Sequence, residues 1–164
     1  MKKQDDLQDL AVMRSRLVAA RTSLQRLALA SRLDAGPTDP ATGESWHRGN
    51  VLGHMSEMTD YWIVQLRNAA AGSNEVGRNE EGYKSRRGGI DRGNAATEAE
   101  LKVAVDGGIG RVIDLLDAFS AADLDREVVY HSRDGNRDAR LGELLEMLLV
   151  GHIEEHVSQL ASLS

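Results

Sequence analysis

Apolar residues recur three and four positions apart in four long segments of the chain, which is the spacing of helices that bury one face. The first segment covers residues 4–33, and the second runs from an N-cap near Ser45 to about Ala71. The apolar positions of the first are Leu7, Leu10, Leu17, Leu24 and Leu27. The inward positions of the second are Val51, His54, Met55, Met58, Tyr61, Trp62, Gln65, Leu66 and Ala69. Both segments are predicted to be amphipathic helices.

The second half of the chain carries the other two segments. The third begins at Thr97, and Glu100 three positions later completes a capping-box pattern. Its apolar positions are Leu101, Val105, Ile109, Val112, Leu116 and Phe119. It is interrupted by Gly107, Gly108 and Gly110, which indicate a kink or a close contact with another helix. The fourth helix is expected to be capped by Asp138 and to run over residues 139–163.

The segments between these helices lack a periodic apolar signal. Residues 72–96 are rich in Gly, Asn, Arg and Glu and are predicted to form a long loop, with one short helix at most, that acts as a lid or pocket wall. Residues 120–138 are predicted to be a connector with an extended piece over 127–131 and a turn over 134–136. No segment shows convincing period-two alternation. We therefore predict an all-α fold, a four-helix bundle that forms a single domain over residues 1–164.

Composition narrows the classes of function. The formal charge of −6 argues against nucleic acid as a partner, and the basic group Lys84, Arg86, Arg87 and Arg92 is interleaved with acids and is interpreted as solvated. The absence of Cys excludes a disulfide framework and a cysteine nucleophile, so thiol chemistry would need an external thiol. No apolar run is long enough to span a membrane and no signal peptide is recognised, so no membrane partner and a cytoplasmic location are expected.

The histidines are the candidate chemistry of this sequence. His152 and His156 are four positions apart on the fourth helix and continue the apolar stripe of Leu141, Leu145 and Leu148. They are interpreted either as a pair of metal ligands or as a hydrogen-bonded core residue beside a surface residue. His54 lies in the apolar face of the second helix, so a bundle could bring it to the pair. Three imidazole ligands that leave a coordination position of the metal open suit Zn²⁺, Ni²⁺ or Fe²⁺.

Other histidine patterns were weighed against this one. His47 is interpreted as a capping or surface residue and His131 as a loop residue. His152 to His156 matches the letters HxxEH of a zinc protease pattern with Glu155 as base, but only eight residues follow His156 and no downstream third ligand is available. A ferritin-like site needs two ExxH pairs and further glutamates, which this chain lacks.

Two motifs together resemble those of the DinB/YfiT-like superfamily of four-helix metalloenzymes. One is Trp46 followed eight residues later by His54, and the other is Gly151-His152 through His156 to Gln159-Leu160. The resemblance implies an up-down-down-up bundle with a long crossover between helices two and three. It also implies a divalent metal held by His54, His152 and His156, and a homodimer. Characterised relatives include thiol-dependent transferases and isomerases that use bacillithiol, mycothiol or glutathione.

The leading hypothesis is therefore a metal-dependent transferase or hydrolase that acts on a small-molecule substrate, with a low-molecular-weight thiol as a candidate second cofactor. Glu57, one turn after His54, is a candidate fourth ligand, acid/base or partner of an imidazole, and Arg78 is a candidate anion-binding residue at the mouth. For both residues the alternative is a solvated surface side chain. The alternative functions are a non-catalytic metal-binding protein, such as a stress-related scaffold, and a metal-free helical binding module.

Overall fold

The computed structural model describes residues 2–30 and 34–163, with side chains described from residue 8 onward. Over these residues the chain is mostly helical and carries one small three-stranded sheet. The elements are α1 (Lys2–Arg26), α2 (Arg48–Ala70), β1 (Glu75–Gly77), α3 (Glu80–Ala95), α4 (Glu98–Ala118), α5 (Ala121–Leu124), β2 (Glu127–Ser132), β3 (Gly135–Arg140), α6 (Leu141–Leu145), a π-helical turn (Glu146–Val150) and α7 (Gly151–Ser162). The prediction of a mostly helical fold is confirmed, but the three-stranded sheet was not predicted.

The predicted first helix is too long. It ends at Arg26, and residues 31–33 of the predicted range lie outside the described residues, as does the Leu7 side chain. The carbonyl oxygens of Leu27 and Ala28, just beyond the end, accept hydrogen bonds from Lys102 of α4 and Arg48 of α2. Because these tertiary partners satisfy the backbone there, the chain leaves the helix earlier than its apolar pattern indicates.

The start of α2 was also misplaced by the sequence pattern, which favoured Ser45. The N-cap is His47, whose Nδ1 accepts a hydrogen bond from the Asn50 backbone N–H at 3.3 Å, while the Asn50 side chain accepts one from the His47 N–H. This is a capping box with an imidazole in the usual place of a hydroxyl or carboxylate. The capping interpretation of His47 is confirmed. So is the Thr97–Glu100 capping box of α4.

Residues 72–96 are not a long loop, and this prediction was wrong. The segment contains β1 and the 16-residue helix α3, which begins after an Asn79 N-cap. The buried positions of α3 are Gly82, Gly89, Ile90 and Gly93, so three of the four carry no apolar side chain. A hydrophobic periodicity therefore does not reveal this helix, although its buried positions follow helical spacing.

Glycines let α3 approach α2 with backbone against backbone. A Cβ atom built on Gly93 would lie 2.1 Å from the carbonyl oxygen of Gly49, and one built on Gly53 would lie 2.2 Å from the carbonyl oxygen of Gly89. No side chain fits at such distances, so glycine is required for this contact. The predicted close helix contact of α4 is also present, but there a glycine packs against a side chain, because a Cβ atom on Gly108 would lie 2.5 Å from Thr59 Oγ1 of α2.

The small sheet has the order β1-β2-β3, with β1 parallel to β2 and β2 antiparallel to β3. The predicted extended piece over 127–131 lies in β2, and Gly135, at a φ of 126°, occupies the predicted turn into β3. Most of the strand positions are not fully buried, which explains why their sequence shows no alternation. Asp138, the predicted cap of the fourth helix, instead pairs with Val129 in the sheet, so that helix begins later, at Leu141.

A π-helical turn interrupts the helix that carries His152 and His156. The Gly151 N–H donates to the carbonyl oxygen of Glu146, five residues earlier, so the turn accommodates one extra residue. At about 100° per residue, α7 is thereby rotated by about 100° relative to α6. After the turn, the fully buried positions are Ile153 and Leu160. The turn therefore interrupts the predicted continuous stripe from Leu141 through the histidines, although His156 is buried as predicted.

The α2–α3 contact can be tested with two alanine substitutions on α3. Gly93→Ala forces a Cβ atom into the Gly49 carbonyl and should lower the free energy of unfolding by about 1–3 kcal/mol or more. Gly88→Ala is the matched control, because a Cβ there meets no atom within 4 Å and should stabilise the helix by about 1 kcal/mol. Urea unfolding measures both. Equal effects of the two substitutions would contradict the backbone contact.

Candidate metal centre

His54 of α2 and the pair His152 and His156 of α7 meet in one cluster. One candidate ligand nitrogen from each lies within 4.8 Å of the others. The ring centroids are 5.4 Å apart for His54 and His152, 5.0 Å for His54 and His156, and 4.6 Å for the α7 pair. Three imidazoles from two helices thus converge as the sequence predicted, and they could hold a metal ion.

Trp46 closes the cluster on a further side. Its ring centroid lies 5.1 Å from that of His54 and 6.0 Å from that of His156. Trp46 directly precedes the His47 cap, so the capping box that starts α2 also fixes where the indole enters the cluster. His54 and His156 are only 4% and 8% exposed. The imidazoles are therefore held by packing on several sides.

Hydrogen bonds fix the α7 imidazoles and leave nitrogen atoms for a ligand. His156 Nδ1 lies 2.8 Å from Gln159 Oε1, an acceptor, so Nδ1 carries the proton and Nε2 keeps its lone pair. His156 Nε2 and His54 Nδ1 are buried, and neither has a hydrogen-bond partner among the described residues. A buried nitrogen without a partner is costly in a closed core, whereas a metal ion would satisfy it.

Burial determines the protonation of the cluster. It lowers the pKa of His152 to about 3, with the neighbouring His156 adding to the effect and a backbone hydrogen bond at Leu148 opposing it. Burial also lowers the pKa of His54 and of His156, and the Gln159 hydrogen bond opposes the shift at His156. All three imidazoles are consequently neutral at pH 7, the form in which histidine binds a metal.

A cavity of about 540 Å³ opens onto the three histidines. Its outer wall comes from the connector between α1 and α2, which the sequence marked as a plain turn region. The connector is shaped by backbone hydrogen bonds from Asp39 N–H to the Glu44 carbonyl and from Gly36 N–H to the Trp46 carbonyl, both 2.8 Å. The lining residues are Pro37, Thr38, Asp39, Pro40, Thr42, Glu44, Trp46, His54, Arg86, His152, Glu155, His156 and Gln159.

A scan against protein-family models matches residues 10–160 to the DinB superfamily, a range that includes all three histidines. The chain belongs to the DinB superfamily. Comparison with curated proteins and with solved structures found no significant match. Membership in the superfamily confirms the resemblance found in the sequence, but it does not assign a substrate or a reaction.

In this DinB-superfamily chain, Arg86 of α3 is a cavity residue that sequence reasoning misread as solvated. Its side chain is 14% exposed and forms a two-point ion pair with Glu44 of the connector at 3.0 and 2.8 Å. Its guanidinium lies 5.4 Å from the Trp46 ring centroid. Arg86 lies on the same face of α3 as the buried Gly82 and Gly93. Had these glycines been recognised as the packing face of a helix, Arg86 would have been predicted to point toward the rest of the protein.

The structure places Glu57 and Arg78 against each other and not among the residues that line the cavity. Arg78 donates to both Glu57 carboxylate oxygens at 2.7 and 2.8 Å and to the Gly82 carbonyl at 2.6 Å. It also stacks on Tyr61, 4.1 Å from the ring centroid. Both side chains are largely buried, so the alternative of two solvated surface residues is wrong.

His47 and His131 lie apart from the three-histidine cluster. His47 caps α2 and its Nε2 lies 3.0 Å from Asn94 Oδ1 of α3. His131 is in β2, not in a loop as predicted, and its Nε2 lies 3.6 Å from a Glu75 carboxylate oxygen. In the described part of the chain, no helix is both long and apolar enough to cross a membrane.

The lowered pKa of His152 predicts how the metal-free protein responds to acid. The unfolded chain takes up a proton near pH 6.5, while the folded state does so only near pH 3. The free energy of unfolding should therefore be highest above pH 6.5 and fall toward pH 3, by up to about 1.4 kcal/mol per pH unit for each such histidine. In chelator-treated protein, His152→Gln should reduce this slope in urea unfolding. An unchanged slope would contradict the shift.

Proposed function

We propose that His54, His152 and His156 hold one divalent metal ion and that the chain is a metal-dependent enzyme acting on a small molecule. The observation that carries the proposal is the cluster of three neutral imidazoles at an open cavity, in which His54 Nδ1 and His156 Nε2 are buried and have no hydrogen-bond partner among the described residues. Zn²⁺, Ni²⁺ and Fe²⁺ are the ions that imidazole ligands suit. When bound, such an ion lowers the pKa of a coordinated water or thiol and polarises an electrophile.

The reaction class that we propose is thiol-dependent transfer or hydrolysis. A volume of about 540 Å³ is in the range of cavities that bind small molecules. The chain contains no Cys, so a thiol nucleophile would be a low-molecular-weight thiol from outside. Trp46, which packs on two of the imidazoles, provides the apolar surface of the cavity, and Arg86 with Glu44 forms its polar wall.

Glu155 is the residue that we propose as the proton carrier. It lines the cavity, is exposed there, and precedes His156 directly. In hydrolysis or thiol transfer, the attacking O–H or S–H gives its proton to the carboxylate while the new bond to the electrophilic carbon forms. The leaving group then takes the proton as its bond to carbon breaks. Glu57 and Arg78 form an ion pair with each other. The catalytic role of Glu57 and the substrate-binding role of Arg78 stay predictions.

The finer description of the fold belongs to the same proposal. We propose that α1, α2, α4 and the helix over residues 141–162 are the four helices of an up-down-down-up bundle, with β1 and α3 in the long crossover. Contacts of α2 with α4 and α7, and of α1 with α4 and α7, support this arrangement. The homodimer and the cytoplasmic location stay predictions.

Metal analysis of protein purified without an affinity tag tests the metal centre. We expect about one divalent ion per chain and its loss in His54→Ala, because two imidazoles bind more weakly than three. The matched control is His131→Ala, which removes a histidine that lies outside the cluster. A metal-free wild-type protein would favour the metal-free binding module, and metal retained equally in both variants would contradict the assignment of His54 as a ligand.

Glu155→Gln tests the proton carrier in protein loaded with Zn²⁺ or Ni²⁺. Turnover with low-molecular-weight thiols and electrophiles, or with simple amides and esters, should fall about 10²-fold or more with metal content unchanged. Glu81→Gln is the matched control, since it removes an exposed carboxylate of α3 that does not line the cavity. Full turnover in Glu155→Gln would contradict the assignment, and no turnover in the wild type would favour a non-catalytic metal protein.

A further inference from the structure

Arg16 of α1 joins two glutamates that lie on opposite sides of the π-helical turn. It donates to both carboxylate oxygens of Glu146 at 2.7 Å, where the turn begins. Through Nε it also donates to Glu154 Oε1 at 3.0 Å, and Nη2 contacts the same oxygen. One guanidinium thus binds α6–α7 at two points, before and after the irregular backbone.

The two glutamates reach one guanidinium because of the π turn. Glu146 and Glu154 are eight positions apart, which in an uninterrupted α-helix would put them about 80° apart around the axis. Because the π turn takes up one residue, Glu146 and Glu154 are separated by the equivalent of seven α-helical steps. Their side chains therefore point in directions that differ by only about 20° around the axis. Simultaneous binding to Arg16 is therefore compatible with the π register and opposed by the α register.

The same turn sets the direction of the metal-binding imidazoles. His152 and His156 follow it directly, and without it they would rotate by about 100° into the stripe that Leu145 and Leu148 occupy. Glu146 contacts Gly151 through two groups. Its backbone carbonyl accepts a hydrogen bond from the Gly151 N–H, and its carboxylate lies against Gly151. A Cβ atom on Gly151 would lie 3.2 Å from the Glu146 carbonyl oxygen and 3.3 Å from Oε1.

We propose that Arg16 is a positioning residue for the metal centre, which holds the π register and thereby keeps His152 and His156 turned toward His54 and the cavity. This inference rests on the proposed metal site. Arg16, Glu146 and Glu154 have side-chain exposures of 35%, 39% and 38%, so the ion pairs are screened and add little to overall stability. Breaking these ion pairs should therefore weaken metal binding more than it lowers the free energy of unfolding.

The experiment compares two arginines of the same helix. Arg16→Gln removes the contacts across the π turn. The matched control, Arg21→Gln, removes a two-point ion pair of similar exposure, at 2.9 and 2.8 Å, between α1 and Asp106 of α4. Each variant is titrated with Zn²⁺ against a competing chelator, and the visible absorption of the Co²⁺-loaded protein reports ligand geometry. Thermal unfolding of the metal-free proteins reports stability.

We expect Arg16→Gln to weaken Zn²⁺ binding by about 10- to 100-fold and to change the Co²⁺ spectrum. Arg21→Gln should keep wild-type affinity and spectrum at a similar melting temperature. Wild-type affinity and spectrum in Arg16→Gln would overturn the inference, provided that His54→Ala has lost the metal. If His54→Ala also binds as the wild type does, the proposed metal site fails first.

Glu154→Gln is a second variant in case Arg16→Gln does not fold. It keeps the pair between Arg16 and Glu146 but weakens the contact beyond the turn. An intermediate loss of Zn²⁺ affinity supports the role of Arg16, and an affinity equal to that of the wild type contradicts it. The Glu154 side chain is not among the residues that line the cavity, so a change in affinity reports positioning and not direct ligand contact.

Discussion

The helix over residues 141–162 must bury an apolar stripe against its neighbours and also direct two imidazoles into a cavity. In a straight α-helix His152 and His156 would share the line of Leu145 and Leu148, and the core would enclose them. The π-helical turn separates the two requirements, because after it Ile153 and Leu160 are fully buried in the core while His152 and His156 line the cavity. The directions of His152 and His156 toward the cavity, and with them the proposed role of Arg16, depend on this change of register.

Close packing elsewhere serves the same site. Glycines on α2 and α3 bring the two backbones together, and this contact carries Arg86 to the cavity, where it pairs with Glu44 of the connector. The connector in turn leads through Trp46 and the His47 cap into α2, which carries His54. Burial then lowers the pKa of each imidazole, so the cluster is neutral at physiological pH and its nitrogen lone pairs are available for a metal.

The sequence could predict features that are encoded locally. The Thr97–Glu100 capping box and the amphipathic patterns of α1, α2 and α4 depend on side chains a few positions apart, so they were identified, although the end of α1 and the start of α2 were misplaced. The three histidines could be selected because a polar side chain in an apolar stripe is unusual. The spacing of Trp46, His54 and the α7 pair carried the resemblance to the DinB superfamily, which the family match over residues 10–160 confirms.

Tertiary contacts decided the rest. α3 packs through glycines, which leave no apolar pattern, and α1 ends just before the Leu27 and Ala28 carbonyls that Lys102 and Arg48 bind. Glu57 and Arg78 satisfy each other, a pairing across 21 positions that no periodicity reveals. At the π turn the Gly151 N–H bonds to the Glu146 carbonyl, and a guanidinium from α1 binds glutamates on both sides of the turn. The sequence by itself determined which three histidines could bind a metal, because residue type and spacing are local. Their direction was decided only by contacts between segments distant in the chain.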